Sequence, residues 1–382
     1  MNSGIYIHIP FCKSRCSYCD FATDVYRSSD AVERYVNALI SEISNFKFQS
    51  SDLRSKTHFD SIYFGGGTPS LLSANQLERI LNVVFDKFTI DKDPEFTLEM
   101  NPGTVSPQKL SDFKSLGVNR ASFGVQTFDD RALKLLARGH DSSDARETFR
   151  LLRTAGFENI SFDLIGGLPQ QTLKDWERNL DQALDLDPEH LSLYLLEIHA
   201  GTPLAEQIRT LRQPLPDEDL AAEMYESMIE IVGTRGFEQY EISNFAKTGF
   251  ESRHNNKYWL CEPVYGFGVS AHSFDGTGMR WSNERDTSKY VELIGKDNSA
   301  IAKTVNLTQK QLSSEFAFLN LRLTKGLDID EYKRRFGLDL ADEYSEELLT
   351  LSEAGLLKFD KNRLFLTRKG RLYSNEVFEI FI

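Results

Sequence analysis

Cysteine is scarce in this chain: there are four in 382 residues. So few thiols cannot staple a chain of this length, and nothing else in it points to an oxidising compartment. Long apolar runs are missing as well. No stretch of about 18 apolar residues occurs, so no transmembrane helix is expected. Positive charge is in deficit, with 44 Lys and Arg against 57 Asp and Glu and a net charge of −13. That balance argues against nonspecific binding to nucleic acid or to an anionic membrane. The first cysteine lies almost at Met1, leaving no room for a secretory or transit peptide, so cytosol is the expected compartment. No internal repeat and no low-complexity tract is visible. What is present is apolar content of 40%, enough for a large α/β domain with a smaller one appended.

Three of the four cysteines, Cys12, Cys16 and Cys19, fall within eight residues. Three clustered thiols cannot all pair as disulfides, and soft thiolates favour zinc or an iron–sulfur cluster. Zinc could be closed by these three and a histidine, but structural zinc sites use two separated ligand pairs and no second pair exists here. A [4Fe–4S] cluster fits better. Three thiolates would leave one iron open to bind a small molecule. The distant Cys261 could serve as a soft ligand, but a lone cysteine is more often an inert buried thiol.

Strand and helix alternate over the first two hundred residues. Strands are expected at Gly4–Ile9, Ser61–Phe64, Glu95–Glu99, Val118–Phe123, Asn159–Asp163 and His190–Leu195. Helices are expected at Ala31–Phe48, Ser73–Phe88, Pro107–Leu116 and Thr172–Leu184. The second has a capping box, Ser73 to Gln76, and a stripe of Leu77, Ile80, Leu81, Val84 and Phe88. The third has Ser106 as N-cap, Pro107 in its first turn and Gly117 as its stop. Six strands separated by helices imply parallel crossover units and a partial (β/α)6 barrel, TIM-like, of α/β class. Gly65-Gly66-Gly67-Thr68-Pro69 follows the second strand. It is neither a P-loop nor a dinucleotide fingerprint; its glycines allow close approach to a ligand or merely a tight turn.

Beyond residue 205 the character changes. A helix (Asp217–Val232) leads to His254-Asn255-Asn256-Lys257-Tyr258-Trp259 and then to Tyr265-Gly266-Phe267-Gly268-Val269-Ser270-Ala271-His272-Ser273. Histidine is a common axial ligand of heme iron, and aromatic neighbours suit a porphyrin face. By residue type alone, His254 reads first as a loop-capping histidine with Tyr258 and Trp259 in the core, and only second as a heme ligand. From about Leu307 onward, helices at Leu312–Leu323, Asp330–Phe336 and Ala341–Ala354 precede a strand–turn–strand wing and a closing helix. This is a winged-helix-like arrangement. Its wing carries Lys358, Lys361, Arg363, Arg368, Lys369 and Arg371, but acidic residues balance the whole segment, so a solvated basic face is expected rather than a DNA-binding one. The expected division is 1–205, 206–306 and 307–382.

The spacing Cys-x3-Cys-x2-Cys, with Tyr18 before the last cysteine, resembles the radical S-adenosylmethionine (SAM) superfamily. Ile5-Tyr6-Ile7-His8-Ile9-Pro10-Phe11-Cys12 narrows this to the branch holding the oxygen-independent coproporphyrinogen III dehydrogenase (HemN) and the heme chaperone HemW. The resemblance runs in order along nearly the whole chain. It implies a [4Fe–4S] cluster on Cys12, Cys16 and Cys19, with the open iron chelated by the amino and carboxylate groups of SAM. It implies SAM contacts from Tyr6, Tyr18 beside the cluster, Gly66, Gly67 and Thr68 of the glycine motif, Glu99, Gln126, Arg138 and Asp163. Charge agrees, since a carboxylate accepts from amine or hydroxyl and an arginine fork suits a carboxylate.

Within that branch, three features point to the HemW side. Phe21 stands where the dehydrogenase has a fourth cysteine, the long segment ahead of the dehydrogenase cysteines has no counterpart, and H-N-x-x-Y-W at His254 is the chaperone's signature. The resemblance therefore implies heme as a further ligand, with His254 as its candidate ligand, and hemoproteins, respiratory ones among them, as acceptors. Nucleic acid is not an expected partner; peripheral membrane contact stays open. The alternatives are oxidative decarboxylation of coproporphyrinogen III and a cluster-bearing regulator acting through the C-terminal domain.

Overall fold

The computed structural model describes residues 2–48 and 57–382. Six strands form its centre: β1 (Asn2–Ile9), β2 (His58–Gly66), β3 (Ile90–Met100), β4 (Arg120–Gln126), β5 (Asn159–Gly166) and β6 (His190–Leu195). They pair in chain order and all in parallel. Their residues are buried almost without interruption, as expected where helices cover a parallel sheet. This is the partial (β/α)6 barrel read from the sequence.

The covering helices are α1 (Ser29–Asn45), α2 (Ala74–Lys87), α3 (Pro107–Ser115), α4 (Asp130–Leu135), α5 (Ser142–Thr154) and α6 (Leu173–Leu184). In α2 both arms of the Ser73–Gln76 capping box are made, and Leu77, Ile80, Leu81 and Val84 are buried. Loss of the Ser73 cap would cost about 1 kcal/mol. Helix α1 begins two residues before the expected Ala31, because the Ser28 hydroxyl accepts from Ala31 N at 3.3 Å. It ends at Phe46, whose ring meets Phe48, Phe88 and Phe267 at 5.2–5.8 Å. The pair α4 and α5, capped by Asp129 and Asp141, has no counterpart in the sequence reading.

The sheet does not stop at six strands. Continuing along the chain, β7 (Glu238–Gln239), β8 (Asn244–Ala246), β9 (Val264–Phe267), β10 (His272–Phe274), β11 (Met279–Asn283) and β12 (Ile301–Asn306) extend both edges. The order is β12-β11-β10-β9-β1-β2-β3-β4-β5-β6-β8-β7. Strand β9 adds a seventh parallel strand beside β1, and β10 to β12 continue antiparallel. The intervening helices are α7 (Pro203–Arg209), α8 (Glu218–Thr234), α9 (Arg253–Trp259) and α10 (Thr287–Asp297).

The C-terminal part places α11 (Gln309–Leu321) and α12 (Ile329–Phe336) against a three-stranded sheet with a hairpin, Leu357–Asp360 and Arg363–Leu366. It has its own apolar core around Phe316, Leu327, Tyr332, Leu348 and Leu364, which also takes in Cys261 and Phe274. The helix expected at Ala341–Ala354 is broken in two at Tyr344, whose ring packs on Phe381 at 4.8 Å. Two of the wing cations are paired within the molecule, Arg363 3.2 Å from Asp328 and Arg368 3.0 Å from Glu230. Among the described residues no helix is long and apolar enough to cross a membrane.

Candidate functional site

The carboxyl ends of the six strands open into a cavity of about 610 Å³. This is the end of a βα barrel at which ligands bind. The cysteine loop leaves β1 and is held at several points. Phe11–Cys12 pairs with Asp24–Val25, Tyr26 N donates to Cys12 O at 2.7 Å, and Ser17 N donates to Leu136 O at 2.9 Å. His8 ties the loop from beneath: one ring nitrogen shares a 3.0 Å bond with the Tyr6 hydroxyl, and the other meets Ala22 O at 2.9 Å.

Cys12, Cys16 and Cys19 are free, half-buried, and line this one cavity. Burial pushes the Cys12 thiol up to about 11. Among the described residues no three metal-ligating side chains are already drawn into a single cage. The donors around the sulfurs suit thiolates nonetheless. The Thr68 hydroxyl lies 3.6 Å from Cys12 Sγ, and an Arg138 nitrogen 3.5 Å from Cys16 Sγ and 3.4 Å from the Tyr18 hydroxyl. Arg138 also donates to Asn101 Oδ1 at 2.8 Å and to Gly124 O at 2.6 Å. It is thus a brace between the loop and the ends of β3 and β4.

Opposite the sulfurs stand two carboxylates. Glu99 accepts from the Tyr63 hydroxyl at 2.7 Å and from Gly66 N at 3.0 Å, and burial raises its carboxyl to about 7. Asp163 is also raised by burial, with the Ser192 hydroxyl opposing that shift. Gly66, at φ +114°, and Gly67 can only be glycine. A Cβ on the first would sit 2.7 Å from the His8 ring, and one on the second 2.6 Å from Pro10 O. Gln126 ends β4 at φ +66°, a left-handed backbone that glutamine seldom adopts.

The cavity wall therefore gathers Cys12, Cys16, Cys19, Tyr18, Gly66, Gly67, Glu99, Gln126, Arg138 and Asp163. Tyr6 and Thr68 are not part of that wall; Tyr6 stacks on the wall residue Tyr63 at 6.1 Å, and Thr68 reaches it through Cys12 Sγ. Arg120, Asn101 and Ser192 line the wall without having been singled out in the sequence. Arg120 is 1% exposed, and two of its guanidinium nitrogens have no hydrogen-bond partner among the described residues. A lone arginine in a strand reads as an outward-facing charge, so only the barrel's curvature reveals it.

His254 lies outside the cavity wall. It is 1% exposed, its ring stacks on Tyr63 at 5.0 Å, and both nitrogens are engaged, with the Ser61 hydroxyl at 3.0 Å and the Tyr258 hydroxyl at 3.3 Å. Burial, with Lys257 and Arg120 nearby, pushes it down to about 3. A Cβ at Gly4 would fall 2.9 Å from the ring, which leaves no space for a porphyrin. His254, the expected candidate heme ligand, is buried at the lower end of the barrel, while its neighbour Asn255 reaches the cavity.

A parallel half-barrel whose mouth carries three cysteines, a glycine motif and two buried carboxylates defines a radical SAM protein. The family model described as Radical SAM superfamily matches residues 6–183, and that of the HemN C-terminal domain matches residues 307–373. The structure is similar to that of coproporphyrinogen III oxidase (HemN) from Escherichia coli, with TM-score 0.86 and 25% identity, covering 99% of this chain and 89% of that one. In sequence it is 39% identical to the heme chaperone HemW of Bacillus subtilis, over 99% of this chain and 98% of that protein. It is 35% identical to the mouse mitochondrial radical S-adenosyl methionine domain-containing protein 1, over 96% and 84%. The chain belongs to the HemW family of radical SAM proteins. Membership of the superfamily brings with it a [4Fe–4S] cluster and SAM as cofactors.

Proposed function

We propose that this protein is a heme chaperone, which binds heme and delivers it to hemoprotein acceptors. The observation that carries the reading is end-to-end similarity to proteins named heme chaperone HemW, at 30–39% identity in several bacteria. The cluster is assigned to Cys12, Cys16 and Cys19. SAM is assigned to the wall formed by Gly66, Gly67, Glu99, Gln126, Arg138 and Asp163, with Tyr18 beside the cluster. When bound, the cluster supplies an iron with an open position and a one-electron donor.

The protein's own groups do the rest. Glu99, already holding Gly66 N, accepts from the SAM amino group, and Asp163 accepts from ribose hydroxyls. Arg138 and Thr68 stabilise negative sulfur, and Arg138 also fixes the loop against β4. Gly66 and Gly67 let backbone approach the ligand.

A second reading, decarboxylation of coproporphyrinogen III, draws on the likeness of fold to HemN. Against it stands Phe21, 68% exposed on the cavity wall where that activity's resemblance calls for a fourth cysteine. The deciding experiment is anaerobic reconstitution followed by parallel assays. The chaperone reading expects heme binding with no conversion of coproporphyrinogen III in the presence of SAM and reductant; turnover of that substrate would replace it with the second reading.

A further inference from the structure

A second cleft, of about 470 Å³, lies outside the barrel between the β10–β12 face and α11. Its size falls within the range of small-molecule sites, roughly 300–1,000 Å³. Val264, Phe274, Val305, Leu307 and Leu319 make it apolar, and Tyr258 brings the His254-to-Trp259 helix to its edge. The register of the sheet arranges its polar groups in two rows on one face. His272 pairs with Ser282, which pairs with Lys303; two residues along, Phe274 pairs with Arg280, which pairs with Val305. His272 and Lys303 are thus two strand spacings apart, about 10 Å.

Among the seven histidines, only His272 is both exposed and without a partner among the described residues. His8, His140, His190 and His254 are buried and hydrogen-bonded. His58 and His199 are exposed but face carboxylates, Asp91 at 3.9 Å and Glu197 at 3.7 Å. Lys303 likewise has no hydrogen bond or ion pair among the described residues. Arg280 lies over the Phe274 ring at 4.9 Å and donates to Glu315 at 3.0 Å. The cleft's acid, Glu262, is occupied by Lys257 at 3.1 Å.

Resting on the heme-chaperone reading, we propose that heme binds in this cleft, with the His272 imidazole on its iron and Lys303 facing a propionate. The chemistry matches group by group. A flat apolar macrocycle finds apolar walls, an iron finds a free imidazole, and a propionate finds the unpaired Lys303 ammonium at the rim. The site is separate from the cluster and SAM cavity, so heme and SAM need not compete. It is also half-open, as a carrier that must release its cargo requires.

The test titrates hemin, and separately hemin dimethyl ester, into the anaerobically reconstituted full-length protein. Binding is followed by difference absorbance and by EPR of the ferric heme. The wild-type protein is expected to show a histidine-ligated spectrum. His272→Ala loses that signature and binds hemin weaker by about tenfold or more. Lys303→Glu, on an exposed strand, weakens hemin but not its dimethyl ester, which has no propionate charge. His199→Ala leaves the spectrum unchanged. If wild-type protein binds hemin and His272→Ala keeps both spectrum and affinity, the cleft is not the site and only this inference falls. Loss of the signature in His199→Ala instead moves heme to the barrel mouth and overturns it as well. If wild-type protein binds no hemin, the chaperone reading itself fails.

Discussion

Glu95, on β3, caps the helix that begins beside His254. One of its carboxylate oxygens accepts from Arg253 N at 2.8 Å, and the other from His254 N at 2.9 Å. A carboxylate at a helix N-terminus satisfies donors that have no partner within the helix, and its charge suits the dipole. The residue is 4% exposed, so its two donors are shielded from bulk water. The H-N-x-x-Y-W segment is thereby fastened to the barrel floor, and His254 is delivered under Tyr63.

Glu95→Ala should therefore destabilise the fold by about 1–3 kcal/mol, the cost of leaving buried donors unmet. Denaturant unfolding monitored by circular dichroism measures it. An unchanged midpoint would show that the cap contributes nothing.

The cluster assignment predicts that alanine at Cys12, Cys16 or Cys19 abolishes iron and sulfide incorporation, since a second iron would then lack a protein ligand. Cys261→Ala should retain the cluster, because that thiol is buried in the C-terminal core, far from the loop. Iron and sulfide analysis after anaerobic reconstitution decides. Stoichiometric zinc in their place would contradict the assignment.

SAM binding should perturb the EPR spectrum of the reduced cluster. Glu99→Ala and Asp163→Ala should each weaken it, as loss of a charge-assisted hydrogen bond costs about 1.5–3 kcal/mol, or about tenfold or more in affinity. Wild-type affinity in both variants would remove the two carboxylates from the SAM site.

Glu42 predicts a pH effect on stability. It accepts from Gly268 N at 2.8 Å, Asn283 Nδ2 at 2.6 Å and the Tyr290 hydroxyl at 2.6 Å, and burial raises it from 4.5 to about 7. The native state then holds this proton more tightly than the unfolded chain. Its contribution to stability is full below pH 4.5 and is lost as pH rises toward 7, with a slope of at most about 1.4 kcal/mol per pH unit. Glu42→Gln cannot titrate and should flatten the stability curve across that window. A curve with wild-type slope would locate the dependence elsewhere.

The parts of the fold with strong local signals were legible. The Ser73 capping box, the Ser106 cap with Pro107 behind it, and six apolar strands all appear where their residue patterns require. The cavity wall was legible only through an ordered resemblance, since Glu99, Gln126 and Asp163 are single residues at strand ends. Strand β9 was missed because Tyr265-Gly266-Phe267 has no alternation, and β1, distant in sequence, creates its pairing. The burial of His254 was not legible for a related reason. Its residue type permits a ligand or a buried plug, and Ser61, Tyr63 and Gly4, which pack against its ring, lie far away in sequence.

The central claim, that the chain carries heme rather than transforming a heme precursor, meets its most direct test in anaerobic gel filtration. The reconstituted protein, loaded with hemin, SAM and reductant, is passed down the column and heme is quantified in the protein fraction. The account predicts heme coeluting with the protein near one equivalent per chain. Protein emerging free of heme would contradict it.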